Sequence, residues 1–181
     1  MSNSRNLLLT SLTAYYVQHP DCCEVIADTI NGSKGHHSRL SLRILDWFVT
    51  HYARVNKVVY YLDGDHMEPV YPENSGASVR KFNLYLEYRK QLQSYTKMYF
   101  DPFRRHERIT FVISQEPLRV IETTVGQLNF FRWATENHVI DFVLSNIADI
   151  EQHMATHQKT PFHKRDFPNV LSHGPCHVLF N

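Results

Sequence analysis

Residues 80–108 hold the densest charge in the chain. Arg80, Lys81, Arg89, Lys90, Lys97, Arg104, Arg105 and Arg108 stand against Glu87, Asp101 and Glu107, a local excess of five positive charges. Tyrosine and phenylalanine alternate with them. Clustered guanidinium and ammonium groups neutralise a phosphate backbone, and exposed aromatic rings stack bases. Leu84, Tyr88, Leu92, Tyr95 and Tyr99 recur at helical steps, which predicts a helix over 82–100. Winding that helix places Lys81, Arg89, Gln93 and Lys97 near one another, roughly opposite the Leu84/Tyr88/Leu92 stripe. Lys90 adjoins them, and Arg104 with Arg105 extends the surface beyond Asp101-Pro102. The expected nucleic-acid contacts are therefore Lys81, Arg89, Lys90, Lys97, Arg104 and Arg105. The same spacing also suits a solvated helix face whose long basic stems cover apolar surface.

Histidine supplies the second pattern. The chain has twelve. His153 and His157 are four apart on an expected helix, and Cys176-His177 follows in a Pro-containing tail. Two imidazoles one turn apart plus a thiolate and a third imidazole would complete a tetrahedral zinc site. The candidate metal ligands are thus His153, His157, Cys176 and His177. No C-x-x-C accompanies them, and surface histidines on an irregular tail explain the same residues. Zinc apart, no cofactor is expected.

Catalytic signatures are missing. The sequence contains no P-loop, G-x-G-x-x-G, G-x-S-x-G or H-E-x-x-H. Asp63, Asp65 and His66 surround Gly64, but a tight turn favours Asp and Gly without any chemistry. Cys176 and His177 are sequence neighbours whose side chains diverge, so they make a poor nucleophile–base pair. An enzyme would need a metal at the His-rich end.

These groups need a scaffold. Of 181 residues, 43% are hydrophobic and 20% charged, the balance of a globular chain. A net charge of +1 gives no global attraction to nucleic acid, so binding must come from local patches. Three cysteines do not make a disulfide framework and suit a reducing compartment. The leucine run near the start is too short for a secretory signal, and no membrane span is expected. Helices are expected over 5–17, from Pro20-Asp21 to Asn31-Gly32 with a capping box at Asp21 and Glu24, over 39–54, over 82–100, over 126–136 behind a Thr124/Gln127 capping box, and from His138 towards Pro161. Strands are expected at 58–62, 108–114 and 118–124, the last two as a hairpin, with a further short one near Val70. This is an α+β chain, mainly helical, with a small antiparallel sheet or hairpin. Residues 1–160 read as one domain and 161–181 as an irregular tail.

SLRILDWFVTHYARVNKVVYY (41–61), YFDPFRR (99–105) and TTVGQLNFFRWA (123–134) resemble a group of uncharacterised proteins of nucleocytoplasmic large DNA viruses, the mimivirus-like, phycodnavirus-like and iridovirus-like lineages. The resemblance runs from about residue 20 to 154. It implies a viral protein acting in the host cytoplasm or the virion, and it supplies no catalytic residue set. The leading expectation is a non-enzymatic protein that binds nucleic acid through the basic aromatic surface. The alternative is a virion structural or protein-interaction component, a minor capsid or scaffold subunit, which uses its aromatic residues and Val178 to Phe180 at an interface. A zinc-dependent enzyme is the third reading. Partner proteins would be viral or virion components, and the sequence does not fix the oligomeric state.

Overall fold

The computed structural model describes residues 2–32, 39–64, 66–72 and 79–159. The tail expected from 161 lies outside them. Among the described residues, eight α-helices and five short strands make a mainly helical α+β fold with two small antiparallel sheets.

At the centre lies α6 (Val125–Glu136). Leu128, Phe130, Phe131 and Ala134 are all fully buried, so this helix is apolar around most of its circumference and must be enclosed. α1 (Ser2–Gln18), α2 (Pro20–Asn31), α5 (Leu84–Tyr99) and α7 (Val139–Ser145) pack around it. Tyr16 of α1 donates its hydroxyl to the Leu128 carbonyl at 2.8 Å. Burial pushes that phenol well above its ordinary pKa, so it stays a donor.

α2 does not start as the sequence suggests. Pro20 occupies its first turn and His19 is the N-cap with no side-chain bond, so Asp21 is not a cap. A proline at the first helical position lacks only an N–H that would be unpaired anyway. Glu24 instead takes a bidentate pair from Arg119, at 2.6 and 3.0 Å. Gly32, at φ 64°, closes the helix in the left-handed region.

α3 (Leu42–Trp47), a π-helical turn (Phe48–Tyr52) and α4 (Ala53–Val55) follow one another as a single rod. The Ser41 side chain caps it by accepting from the Ile44 N–H. β1 (Val59–Asp63) is the middle strand of the first sheet, between β2 (His66–Glu68) and β3 (Arg80–Asn83). The short strand therefore sits at 66–68, not near Val70, and exposed Gly64 at φ 59° makes the turn into it. β3 was not expected. Its pairing of Phe82 with Tyr60 buries both rings, and this shortens the basic helix to α5. β4 (Ile109–Ser114) and β5 (Arg119–Thr123) form the expected hairpin. The final helical run is broken at Asn146 into α7 and α8 (Ile147–Lys159).

Candidate nucleic-acid interface

The interface grows from the way residues 99–105 end α5. Phe100 is fully buried, and the chain then turns sharply. Asp101 accepts the Phe103 N–H on its carboxylate at 2.7 Å, a local side-chain turn that competes with further helix. The turn is clamped by the start of α6. The Thr124 hydroxyl caps that helix by accepting from the Gln127 N–H at 3.1 Å. Gln127 then uses its side chain elsewhere: Nε2 donates to the Pro102 carbonyl at 3.0 Å, and Oε1 accepts from the Thr123 hydroxyl. Asn129 Nδ2 donates to the Tyr99 carbonyl at 2.9 Å. Asp101 N–H donates to the Gly126 carbonyl at 3.3 Å. A Cβ on Gly126 would stand 3.0 Å from the Met98 carbonyl oxygen, so only glycine lets the two backbones approach this closely.

YFDPFRR and TTVGQLNFFRWA are therefore two halves of one junction. Thr123, Thr124, Gln127 and Asn129 are four of the five buried polar residues among those described. Each spends its hydrogen bonds holding the turn, as buried polar groups must.

Arg104 and Arg105 leave this junction into a cavity of about 280 Å³. Ile30 and Asn31 of α2 and Leu42 of α3 line it, together with Arg104, Arg105, Arg108, Glu122, Thr123 and Gln127. Arg108 pairs with Glu122 at 3.1 Å across the hairpin. Arg105 lays its guanidinium over the Phe103 ring, 4.7 Å from the centroid. Arg104 Nε is buried and has no hydrogen-bond partner among the described residues. A guanidinium N–H left out of water without an acceptor is costly.

The other expected contacts divide. Arg89 and Lys97 line a second depression of about 210 Å³ with Thr50, Tyr85, Tyr88 and Leu92. They lie beside the Tyr88/Leu92 stripe, not opposite it: Arg89, four residues from Tyr85 and three from Leu92, is their neighbour on any straight helix. The helix is kinked at Thr96, just before Lys97, where φ is 61° and ψ 165°. Lys81 is exposed on β3 rather than on the helix, facing Tyr61 in the register. Lys90 is exposed and bound to Glu87 at 2.7 Å. Neither lysine lines either depression. Glu122, Thr123 and Gln127 were not expected as parts of the site, although the Thr124/Gln127 capping pattern marks the helix start that carries Gln127, and Glu122 and Thr123 end the strand before it.

The histidines form a separate cluster. Trp47 Nε1 donates to His153 Nδ1 at 3.2 Å, and His153 stacks on His157 with ring centroids 4.1 Å apart. His51 stacks flat on the Trp47 indole at 4.3 Å. Burial first, then the neighbouring His157 and His51, lower the His153 pKa. Its Nδ1 is an acceptor, so its proton belongs on Nε2, which is buried without a partner among the described residues. Among those residues no group of three or more metal-ligating side chains converges. Cys176 and His177 lie outside them. No helix among the described residues is long and apolar enough to cross a membrane.

A family model matches residues 2–172. The chain belongs to the family of unknown function DUF7197. It is 33% identical over 128 residues to an uncharacterised protein of Acanthamoeba polyphaga mimivirus. That match covers 69% of this chain and 44% of the relative, so this DUF7197 chain spans less than half of the viral protein it matches. The likeness to large-DNA-virus proteins read from the sequence is borne out by this relative. No solved structure matches the chain.

Proposed function

We propose that this protein binds nucleic acid, with phosphate held in the cavity of Arg104, Arg105 and Arg108. The observation that carries the reading is that three arginines, Arg104, Arg105 and Arg108, line one cavity in which Glu122 is the only acidic lining residue among those described. Buried hydrogen bonds from Thr124, Gln127 and Asn129 hold the backbone beneath them, so the groups are preorganised rather than borne on free stems. Arg89 and Lys97 in the second depression extend the basic surface, and Tyr85 and Tyr88 in its wall offer ring faces beside them. Fluorescence anisotropy with short labelled single- and double-stranded DNA and RNA tests this, at about 50 and 200 mM salt, where phosphate-driven binding weakens steeply. Salt-sensitive binding that drops when Arg104 and Arg105 become alanine is the expected result. Binding indifferent to salt overturns it.

A second reading, a virion or partner-protein contact, is favoured by the hairpin. Val112 and Val120 face each other in register with 42% and 50% of their surface exposed, and Leu118 beside them is 69% exposed. Exposed apolar neighbours on a two-stranded ribbon suit an interface. Val120→Glu lowering the sedimentation coefficient of the full chain would support it, and a monomeric wild type at high concentration removes self-association.

A further inference from the structure

We infer that the arginine cavity receives the terminal phosphate monoester of a nucleic-acid strand rather than an internal phosphodiester; this rests on the nucleic-acid reading above and narrows it. Three features point to an end. The first is charge. Arg104, Arg105 and Arg108 bring three positive charges and Glu122 removes one, leaving two. A phosphate monoester carries about −1.5 to −2 near neutral pH, with three acceptor oxygens. An internal diester carries a single charge and leaves such a cavity overcompensated.

The second is enclosure. The cavity measures about 280 Å³, ample for a phosphoryl head. Ile30 and Leu42 add apolar surface to its lining. An internal phosphate needs room for chain to enter and leave; a terminal one needs a single exit.

The third is what stands beside the opening. Arg105 is exposed and already lies over the Phe103 ring. The outer face of that guanidinium plane is a platform on which the terminal base stacks, giving a phenylalanine–arginine–base sandwich. A phosphorylated protein side chain offers the monoester but not the base. The polar floor does not compete for the ligand, since Gln127 and Thr123 are occupied with each other and with Pro102.

The test uses the full chain and single strands of one sequence, labelled internally, bearing a 5′-phosphate, a 3′-phosphate or hydroxyl ends, with a circular strand as an end-free competitor. The expected result is about tenfold tighter binding of one phosphorylated end, the scale of one lost charge-assisted bond. Arg105→Ala, at an exposed position, and Arg104→Lys, which keeps the charge and loses the fork, should abolish the preference without moving the melting temperature. Equal affinity for phosphorylated, hydroxyl and circular strands, weakened throughout by Arg105→Ala, overturns end recognition and leaves nucleic-acid binding standing. No binding of any strand at low salt overturns both. A phosphoserine peptide that competes as well as the phosphorylated strand overturns the assignment to a nucleic-acid end.

Discussion

The side chain of Gln127 bonds at both ends, donating to the Pro102 carbonyl at 3.0 Å and accepting from the Thr123 hydroxyl at 3.1 Å. One amide thereby ties the last residue of β5 to the turn that presents Arg104 and Arg105. Gln127→Leu keeps the approximate shape and strands both partners. Unpaired buried groups of this kind cost roughly 1–3 kcal/mol. Urea unfolding should show that loss. Oligonucleotide affinity should fall as well, although Gln127 contributes no charge, because the arginines lose their fixed platform. Unchanged affinity in a folded Gln127→Leu protein would show that the turn holds itself.

Gly126 is constrained from the same side. The group closest to its missing Cβ is the backbone carbonyl of Met98, which cannot swing away like a side chain. Gly126→Ala should therefore separate α5 from α6 and destabilise by about 1–3 kcal/mol, as overpacking does. This holds despite the helix propensity gained, which is worth only about 1 kcal/mol. A thermal melt decides the sign; an increase in stability would mean that the junction has slack.

Much of this architecture is legible in the sequence, for reasons that differ by element. α6 is apolar on nearly every side and opens with Thr124 spaced three from Gln127, so local pattern and burial agree. β3 is illegible because only Phe82 of its four residues is buried, and only the register against Tyr60 makes it a strand. Pro20 and Asp21 both signal a helix start, and the proline wins because its fixed φ suits the first turn, which places Asp21 inside. The basic residues are legible as a group but not as a site. The Asp101 turn redirects the chain between Lys97 and Arg104, so charges close in sequence reach two different depressions. Glu122 and Gln127 join Arg104 only through the hairpin and the junction, contacts that no periodicity encodes.

The Trp47–His153 bond makes stability depend on pH. Folding lowers the His153 pKa from its ordinary 6.5, so the unfolded chain takes up the proton more readily. The contribution of this group is thus intact above pH 6.5 and is lost as pH falls from there through the folded value. Protonation also places a second N–H on Nδ1, against the indole donor of Trp47. After burial, the neighbouring His157 and His51, packed around the same ring and indole, are what lower the His153 pKa. The melting temperature should therefore fall between neutral and mildly acidic pH, and His153→Leu should flatten that fall. In a Trp133→Phe background the emission of Trp47 should change over the same range. A wild type whose stability is constant across it, or a His153→Leu protein with an undiminished slope, would remove His153 as the cause.

Basic residues inside and outside the arginine cavity give the sharpest comparison of position against charge. Lys90, Lys97 and Arg105 each carry one positive charge, so a uniform electrostatic attraction would make their removal equivalent. Their surroundings differ. Lys90 is held by Glu87 on an exposed helix face, an ion pair of the kind that contributes little to stability and already neutralises the ammonium. Lys97 shares a depression with Arg89 and two tyrosines. Arg105 shares a cavity with two further arginines. A side chain that contacts a phosphate lowers the salt slope of binding by about one when removed. Arg105→Ala should do so, Lys97→Ala should do so if the strand continues across the second depression, and Lys90→Ala should leave the slope unchanged. Plotting log affinity against log salt for the three variants separates the cases. Equal small losses in all three, with parallel slopes, would mean that the chain attracts nucleic acid by its diffuse charge, and the cavity would lose its claim to be the binding site.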